Sequence, residues 1–226
     1  MYYAVIGDLV GSRRLSPEMR REAQAKLGSA LEKVNAEFEP GVAARFLITL
    51  GDECQGLMNE EGDPVAAALT VMREMKPFEI RFAIGCGEIT TPVFAEAAIG
   101  ADGPAYYLAR STVEDMKADH GARLRAALSD PDRTECINTV AALCDRLSAD
   151  WTRKQEELAS SLLLARMRGE KPTQTELAKS LGVGQSTVNA RLTAAGFNEY
   201  CRGMLYIRKQ LREYMLGTEG GGERLI

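Results

Sequence analysis

Two aspartates stand where metal or phosphate chemistry is readily built. Asp8 closes an apolar run in Gly7-Asp8-Leu9-Val10-Gly11-Ser12, and Asp52 sits in Leu50-Gly51-Asp52-Glu53, which carries a strong turn pair. Carried to the same end of one sheet, the two carboxylates suit Mg²⁺, a hard cation that takes oxygen ligands and keeps waters and phosphate oxygens. Metal ions held in this way clamp a triphosphate and activate a hydroxyl. Gly11 lets backbone approach a phosphate closely, with Leu9 and Ser12 beside it. Leu9, Gly11 and Ser12 are therefore candidate contacts for a nucleotide or another phosphate ligand. The plainer alternative is that Asp8 and Asp52 only cap and turn.

The elements that must position these residues can be read along the chain. Tyr2 to Ile6 reads as a buried strand ending at Gly7-Asp8. From Pro17 to about Phe38, Ala23, Leu27, Ala30, Leu31 and Val34 recur at helical steps, and Pro40-Gly41 stops the run. Arg45 to Leu50 and Cys54 to Met58 make a hairpin about Gly51-Asp52. Val65 to Met75 reads as a second helix, Phe78 to Ile89 as a long strand, and Ala105 to Ala118 as a third helix. This order is the split β-α-β pattern of a ferredoxin-like layer, and it predicts an antiparallel sheet with helices on one face. From about Asp130 the sequence reads as wholly helical. The expected class is α+β: a ferredoxin-like domain over 1–129, then an all-α domain over 130–226.

Composition sets the broad class. With 45% hydrophobic and 27% charged residues, the 226-residue chain matches ordinary globular proteins. No apolar run reaches the ~18 residues of a membrane helix, and the N-terminal run is too short for a signal peptide. The expectation is a cytoplasmic protein without membrane insertion. The five cysteines form no Cys-x-x-Cys pair, and His120 stands alone, so reduced core thiols are expected and His120 is given no role. Residues 151–226 carry twelve Lys/Arg against eight Asp/Glu, net +4, while residues 1–150 are net −8. The two parts are therefore expected to have different partners.

Gly7-Asp8-Leu9-Val10-Gly11 resembles the first metal motif of class III nucleotidyl cyclases, and Thr49-Leu50-Gly51-Asp52 resembles their second. Arg81 to Ile89 is similar to their glycine-bearing strand. Ala105 to Arg110 resembles the late helix in which they carry Asn and then Arg. The resemblance covers about residues 2–118 and implies a cyclase-like palm, with Arg110 as the catalytic candidate. Leu50-Gly51-Asp52-Glu53 also resembles the Gly-Gly-Asp-Glu hairpin of diguanylate cyclases, which adds Glu53 as a ligand. The Asn position falls on Tyr106 and the base-reading Lys on Ile48, which argues against cyclase turnover. The whole chain resembles the SatD family of bacterial proteins through Tyr3 to Arg13, Thr49 to Gly56 and Ala98 to Arg110. That resemblance implies a bacterial cytoplasmic protein tied to stress or acid tolerance, and it hands over no catalytic residues.

A second constellation lies at 172–194. Thr173 is placed to cap a helix whose apolar face is Leu177, Ala178 and Leu181. Gly182-Val183-Gly184 makes a turn, and Gln185 opens a short helix with Val188 and Leu192 inward. Gln174 to Leu192 resembles the helix-turn-helix of phage repressors, and Leu158 to Gly169 before it resembles sigma-factor region 4. With DNA as partner, the amino end of the second helix enters the major groove. Gln185, Ser186, Asn189 and Arg191 are then the outward side chains, with Arg191 meeting guanine or phosphate, while Gln174 and Lys179 meet phosphates. The alternative is a helical hairpin that contacts protein. Phe197, Tyr200, Met204, Ile207, Leu211 and Tyr214 form a seven-residue repeat, read either as packing within the chain or as the seam of a homodimer. Together these features lead to the expectation of a DNA-binding transcriptional regulator whose palm binds Mg²⁺ and a nucleotide. The alternatives are a Mg²⁺-dependent cyclase or transferase, and a protein-interaction adaptor.

Overall fold

The computed structural model describes residues 1–49, 51–119 and 121–217. Leu50, His120 and the Gly220–Gly222 run therefore lie outside the described residues. The fold is α+β, with one five-stranded mixed sheet and eight α-helices among the described residues.

The chain begins with β1 (Tyr2–Leu9), followed by a short 3-10 turn at Ser12–Arg14. Helix α1 (Pro17–Glu37) starts where the Ser16 hydroxyl accepts the Met19 amide at 3.2 Å, and it buries Ala23, Leu27, Ala30, Leu31 and Val34. Strands β2 (Val42–Ile48) and β3 (Glu53–Met58) form the hairpin. Helix α2 (Pro64–Met75) is capped by Asp63, and β4 (Ile80–Gly87) follows. Helix α3 (Pro104–Asp119) leads into a fifth strand, β5 (Leu124–Ala127).

The sheet order is β2-β3-β1-β4-β5, so β1 lies at the centre and is antiparallel to both neighbours. Two expectations need correction. The sheet is mixed, because β5 runs parallel to β4. The helices also cover both faces. Tyr3, Val5 and Leu9 face the core built with α1 and α2, whereas Ala4 and Ile6 face α3. An apolar run buried along its whole length is what two covered faces require, and β1 is buried from Tyr3 to Leu9, apolar up to Gly7. Strand β5 escaped notice because Leu-Arg-Ala-Ala holds no β-branched or aromatic residue.

Helix α3 sits unusually close to the sheet. A Cβ on Gly85 would overlap the Ala105 carbonyl and the Ala109 amide, so backbone lies directly against backbone. The segment between β4 and α3 also closes the sheet's outer edge. The Arg45 amide of β2 donates to the Ala95 carbonyl at 3.0 Å, and Arg45 O accepts from Ala98 N at 3.3 Å.

The helical part comprises α4 (Pro131–Ser148), α5 (Arg153–Met167), α6 (Gln174–Ser180), α7 (Gln185–Ala194) and α8 (Phe197–Met215). The largest buried cluster runs from the sheet through α1 and α2 into α4, α5 and α8. On α8, Phe197, Tyr200, Met204, Ile207 and Leu211 are all buried in that cluster, and the Tyr214 hydroxyl bonds Ser129. The seven-residue repeat is thus used for packing within the chain. Tyr3 donates its hydroxyl to the Leu211 carbonyl at 3.1 Å, and Arg208 pairs with the largely buried Asp63 at 2.6 Å. Four cysteines are buried as free thiols, whereas Cys136 is exposed.

Gly85→Ala is expected to lower stability by about 3 kcal/mol or more, through overpacking at a backbone contact. Urea unfolding measures this, and an unchanged midpoint would contradict the close approach of α3 to β4.

Candidate functional site

The site follows from strand register. Asp8 lies opposite Glu53 on β3 and opposite Arg81 on β4, so three charged side chains stand side by side across three strands. Alternation puts them on the same sheet face as Ala4 and Ile6, beneath α3. Arg110 and Lys117 stand seven residues apart on α3, two turns along one side of the helix. Both point into the same cluster. Asp8 is 7% exposed, Glu53 6% and Arg81 9%.

The contacts form a continuous charge network. Arg81 Nε lies 3.2 Å from Asp8 Oδ2, and Lys117 Nζ lies 3.3 Å from Asp8 Oδ1. Arg110 Nη1 meets Glu53 Oε2 at 2.6 Å, and Lys117 Nζ stands 3.9 Å from the same oxygen. Arg81 also donates from Nη1 to the Met116 carbonyl at 2.7 Å. Lys117 has a further partner in Glu114 at 3.0 Å. Burial pushes the Asp8 carboxyl above its ordinary range; Lys117 and Arg81 pull it back, and nearby Asp52 pushes it up. For Lys117, burial alone would lower the ammonium, but Glu114 and Asp8 outweigh it and the net direction is upward. Three polar atoms here are buried without an aligned hydrogen bond: Glu53 Oε1, Arg81 Nε and Tyr106 Oη.

Asp52 lies at the same end of the sheet but has a different partner. Its carboxylate accepts the Ser12 hydroxyl, and its carbonyl accepts the Leu9 amide at 2.9 Å. Gly51 makes the turn in a left-handed conformation, φ +66°, and its carbonyl accepts Gln24 Nε2 at 2.8 Å. Gly11 is also left-handed, φ +69°, with open space where a Cβ would point. The Leu9 side chain packs into the core on the α1 and α2 side, so neither it nor its amide is turned to a ligand. Arg110 reaches Glu53 rather than either aspartate. Arg81 and Lys117 are the residues that reading the sequence did not single out. Arg81 heads the glycine-bearing strand motif, and Lys117 follows Arg110 at helical spacing; those were the available signals.

This arrangement does not fit a divalent cation. Both Asp8 oxygens already face cations, and the Lys117 ammonium stands between Asp8 and Glu53. Among the described residues no group of three or more Asp, Glu, His or Cys side chains gathers as a metal would require. Protein cations supply the neutralisation that Mg²⁺ would otherwise bring.

The second candidate surface lies on α6 and α7. Thr173 and Glu176 cap α6 reciprocally: the Thr173 amide donates to Glu176 Oε2 at 2.7 Å, and the Glu176 amide donates to Thr173 Oγ1 at 3.2 Å. Those bonds hold the Glu176 carboxyl below its ordinary range. Gly182 turns the chain at φ +62°. Ala178 of α6 and Val188 of α7 pack on Leu158 of α5, and this small core is separate from the main one. Of the expected DNA contacts, Gln174, Gln185 and Asn189 gather on one side. Gln174 Nε2 donates to Asn189 Oδ1 at 3.4 Å, and Gln185 bonds the Thr175 hydroxyl beside them. Ser186 and Arg191 turn the other way, into a shallow groove with Thr152, Lys154 and Gln155.

The profile of the SatD family matches residues 2–211. The chain belongs to the SatD family. Comparison with curated proteins and with solved structures returns no match to either. The SatD match runs from β1 to Leu211 of α8, so it takes in both the charge network and the α6–α7 unit. No helix among the described residues is long and apolar enough to cross a membrane.

The charge network makes a pH-dependent prediction for this SatD-family chain. Asp8 titrates above its unfolded value, so its share of stability is full in acid and is lost as pH rises through the folded pKa. Lys117 moderates that loss. Lys117→Met should match the parent in urea unfolding near pH ~3, where the Asp8 carboxyl is protonated, and fall about 1–2 kcal/mol below it near pH ~7. A deficit of the same size at both pH values would contradict the network.

Proposed function

We propose that this SatD-family protein is a DNA-binding transcriptional regulator of the bacterial cytoplasm. In this reading α6, the Gly182 turn and α7 act as a helix-turn-helix. The sheet segment is a ferredoxin-like, cyclase-like palm extended by β5. The observation that carries the proposal is the grouping of exposed Gln174, Gln185 and Asn189 on a unit with its own small core. Side chains on the amino half of the second helix are those that reach base edges in this geometry. Gln and Asn amides match the donor and acceptor pair of adenine in the major groove. Lys179 on α6 is exposed and suits a phosphate contact. Ser186 and Arg191, with Lys154 beside them, offer a flanking contact to backbone.

The central part of the sheet, β2-β3-β1-β4, is compatible with such a palm, but Lys117 and Arg81 occupy the neighbourhood a metal would use. That weighs against Mg²⁺-dependent cyclase or transferase chemistry and favours a structural palm. A two-fold operator would require a second copy of the chain, joined through a surface other than the α8 stripe, which is buried.

DNA fragments selected from genomic DNA by the full chain provide the test, read by fluorescence anisotropy. Gln185→Ala and Asn189→Ala should each weaken binding to a selected fragment by about tenfold, corresponding to 1–3 kcal/mol per lost bidentate contact. Lys179→Ala should weaken binding to all fragments alike and flatten the salt dependence. Full affinity in the Gln185→Ala, Asn189→Ala double variant would refute the recognition helix.

A further inference from the structure

A cavity of about 580 Å³ opens where the sheet meets α2, α4, α5 and α8. That volume lies within the range of small-molecule sites, which favour the junction between structural layers. Met72, Leu163 and Met204 make its apolar walls, and Trp151 and Tyr200 line it with their rings in edge contact at 4.7 Å. None of the charge network around Asp8 lines this space.

Two observations say what it would hold. First, Tyr200 lines the cavity and is 8% exposed. Burial raises the phenol far above its ordinary range, so it stays protonated and able to donate. Second, the cations lining the cavity are already neutralised. Lys76 pairs with Glu156 at 2.6 Å, Arg123 with Asp145 at 2.7 Å, Arg153 with Glu157 at 2.7 Å, and Arg73 with Glu74 at 3.1 Å, a carboxylate it shares with Lys33. A strongly anionic ligand would have to break one of these pairs. A second cavity of about 450 Å³ shares Lys76, Arg123, Asp145 and Trp151 and continues toward Val10, which extends the approach.

We propose that this cavity is a binding site for a neutral, largely apolar small molecule bearing one hydrogen-bonding group, seated against Trp151 and bonded to the Tyr200 hydroxyl. The proposal does not rest on DNA binding. It does connect to the α6–α7 unit, because the Trp151 indole N–H donates to the carbonyl of Ala195, at the end of α7, at 2.8 Å. An occupant that shifts the indole therefore acts on the residue that ends that helix.

Trp151 is the only tryptophan in the chain, so its emission reports the cavity. The full chain is titrated with N-phenyl-1-naphthylamine, a neutral aromatic amine excited by energy transfer from tryptophan. Saturable binding of one probe per chain is expected, with Trp151 quenched. Ser160 is a half-buried lining residue on α5, and Ser160→Phe, which fills the space, should weaken binding at least about tenfold. Tyr200→Phe should weaken it about threefold, the loss of one hydrogen bond. The same ring system carrying a sulfonate, 8-anilino-1-naphthalenesulfonate, should bind at least about tenfold more weakly. Unsaturable binding, or unchanged affinity in both variants, would overturn the site, and equal affinity for the sulfonate would overturn the neutral ligand class. Tyr200→Phe removes one oxygen from a folded chain, so it decides the matter even if Ser160→Phe fails to fold.

Discussion

A carboxylate beneath a helix is tolerable only when cations accompany it, and Asp8 and Glu53 are both buried beneath α3. Much of the architecture at this end of the sheet follows from that constraint. Strand β4 must run beside β1 in the register that sets Arg81 against Asp8. Helix α3 must lie close enough for Lys117 to reach Asp8 and for Arg110 to reach Glu53. The absence of a side chain at Gly85 permits that approach, since helix and strand backbones touch there. Charge neutralisation and backbone packing therefore fix the same helix by independent means.

The other sheet face serves a different purpose. It carries the core shared with α1 and α2, and that core continues into α4, α5 and α8. Tyr3 of the central strand bonds the backbone of α8 directly. Helix α5 belongs to the main core through Leu162 to Leu164 and to the small α6–α7 core through Leu158. It is thus one element through which a change in the sheet or its cavity would reach the proposed recognition helix. Coupling of this kind requires an occupant that favours one arrangement over another.

Much of this was legible in the sequence, where the pattern was long and periodic. The stripe on α1, the hairpin about Gly51-Asp52 and the cap at Thr173 each have a local physical cause, and each stands where its residues place it. Strand β5 was not legible, because its pairing with β4 is tertiary and its residues carry no strand preference. The second covered face was half legible: the unbroken apolar run in β1 called for cover on both sides, but nothing local said that α3 provides it. At the site, Asp8 and Asp52 were found by type and by turn chemistry. The partners of Asp8 were missed because Arg81 and Lys117 are ordinary cations until strand register and helix packing bring them together.

The central claim is that protein cations, rather than a metal ion, neutralise the buried Asp8 carboxylate. The most direct measurement is a ¹³C NMR titration of the Asp8 side-chain carboxyl, with and without millimolar Mg²⁺. The account predicts a midpoint above the ordinary aspartate range, as burial directs, and a curve that Mg²⁺ leaves in place. A saturable Mg²⁺-induced shift of the curve at Asp8 would contradict it.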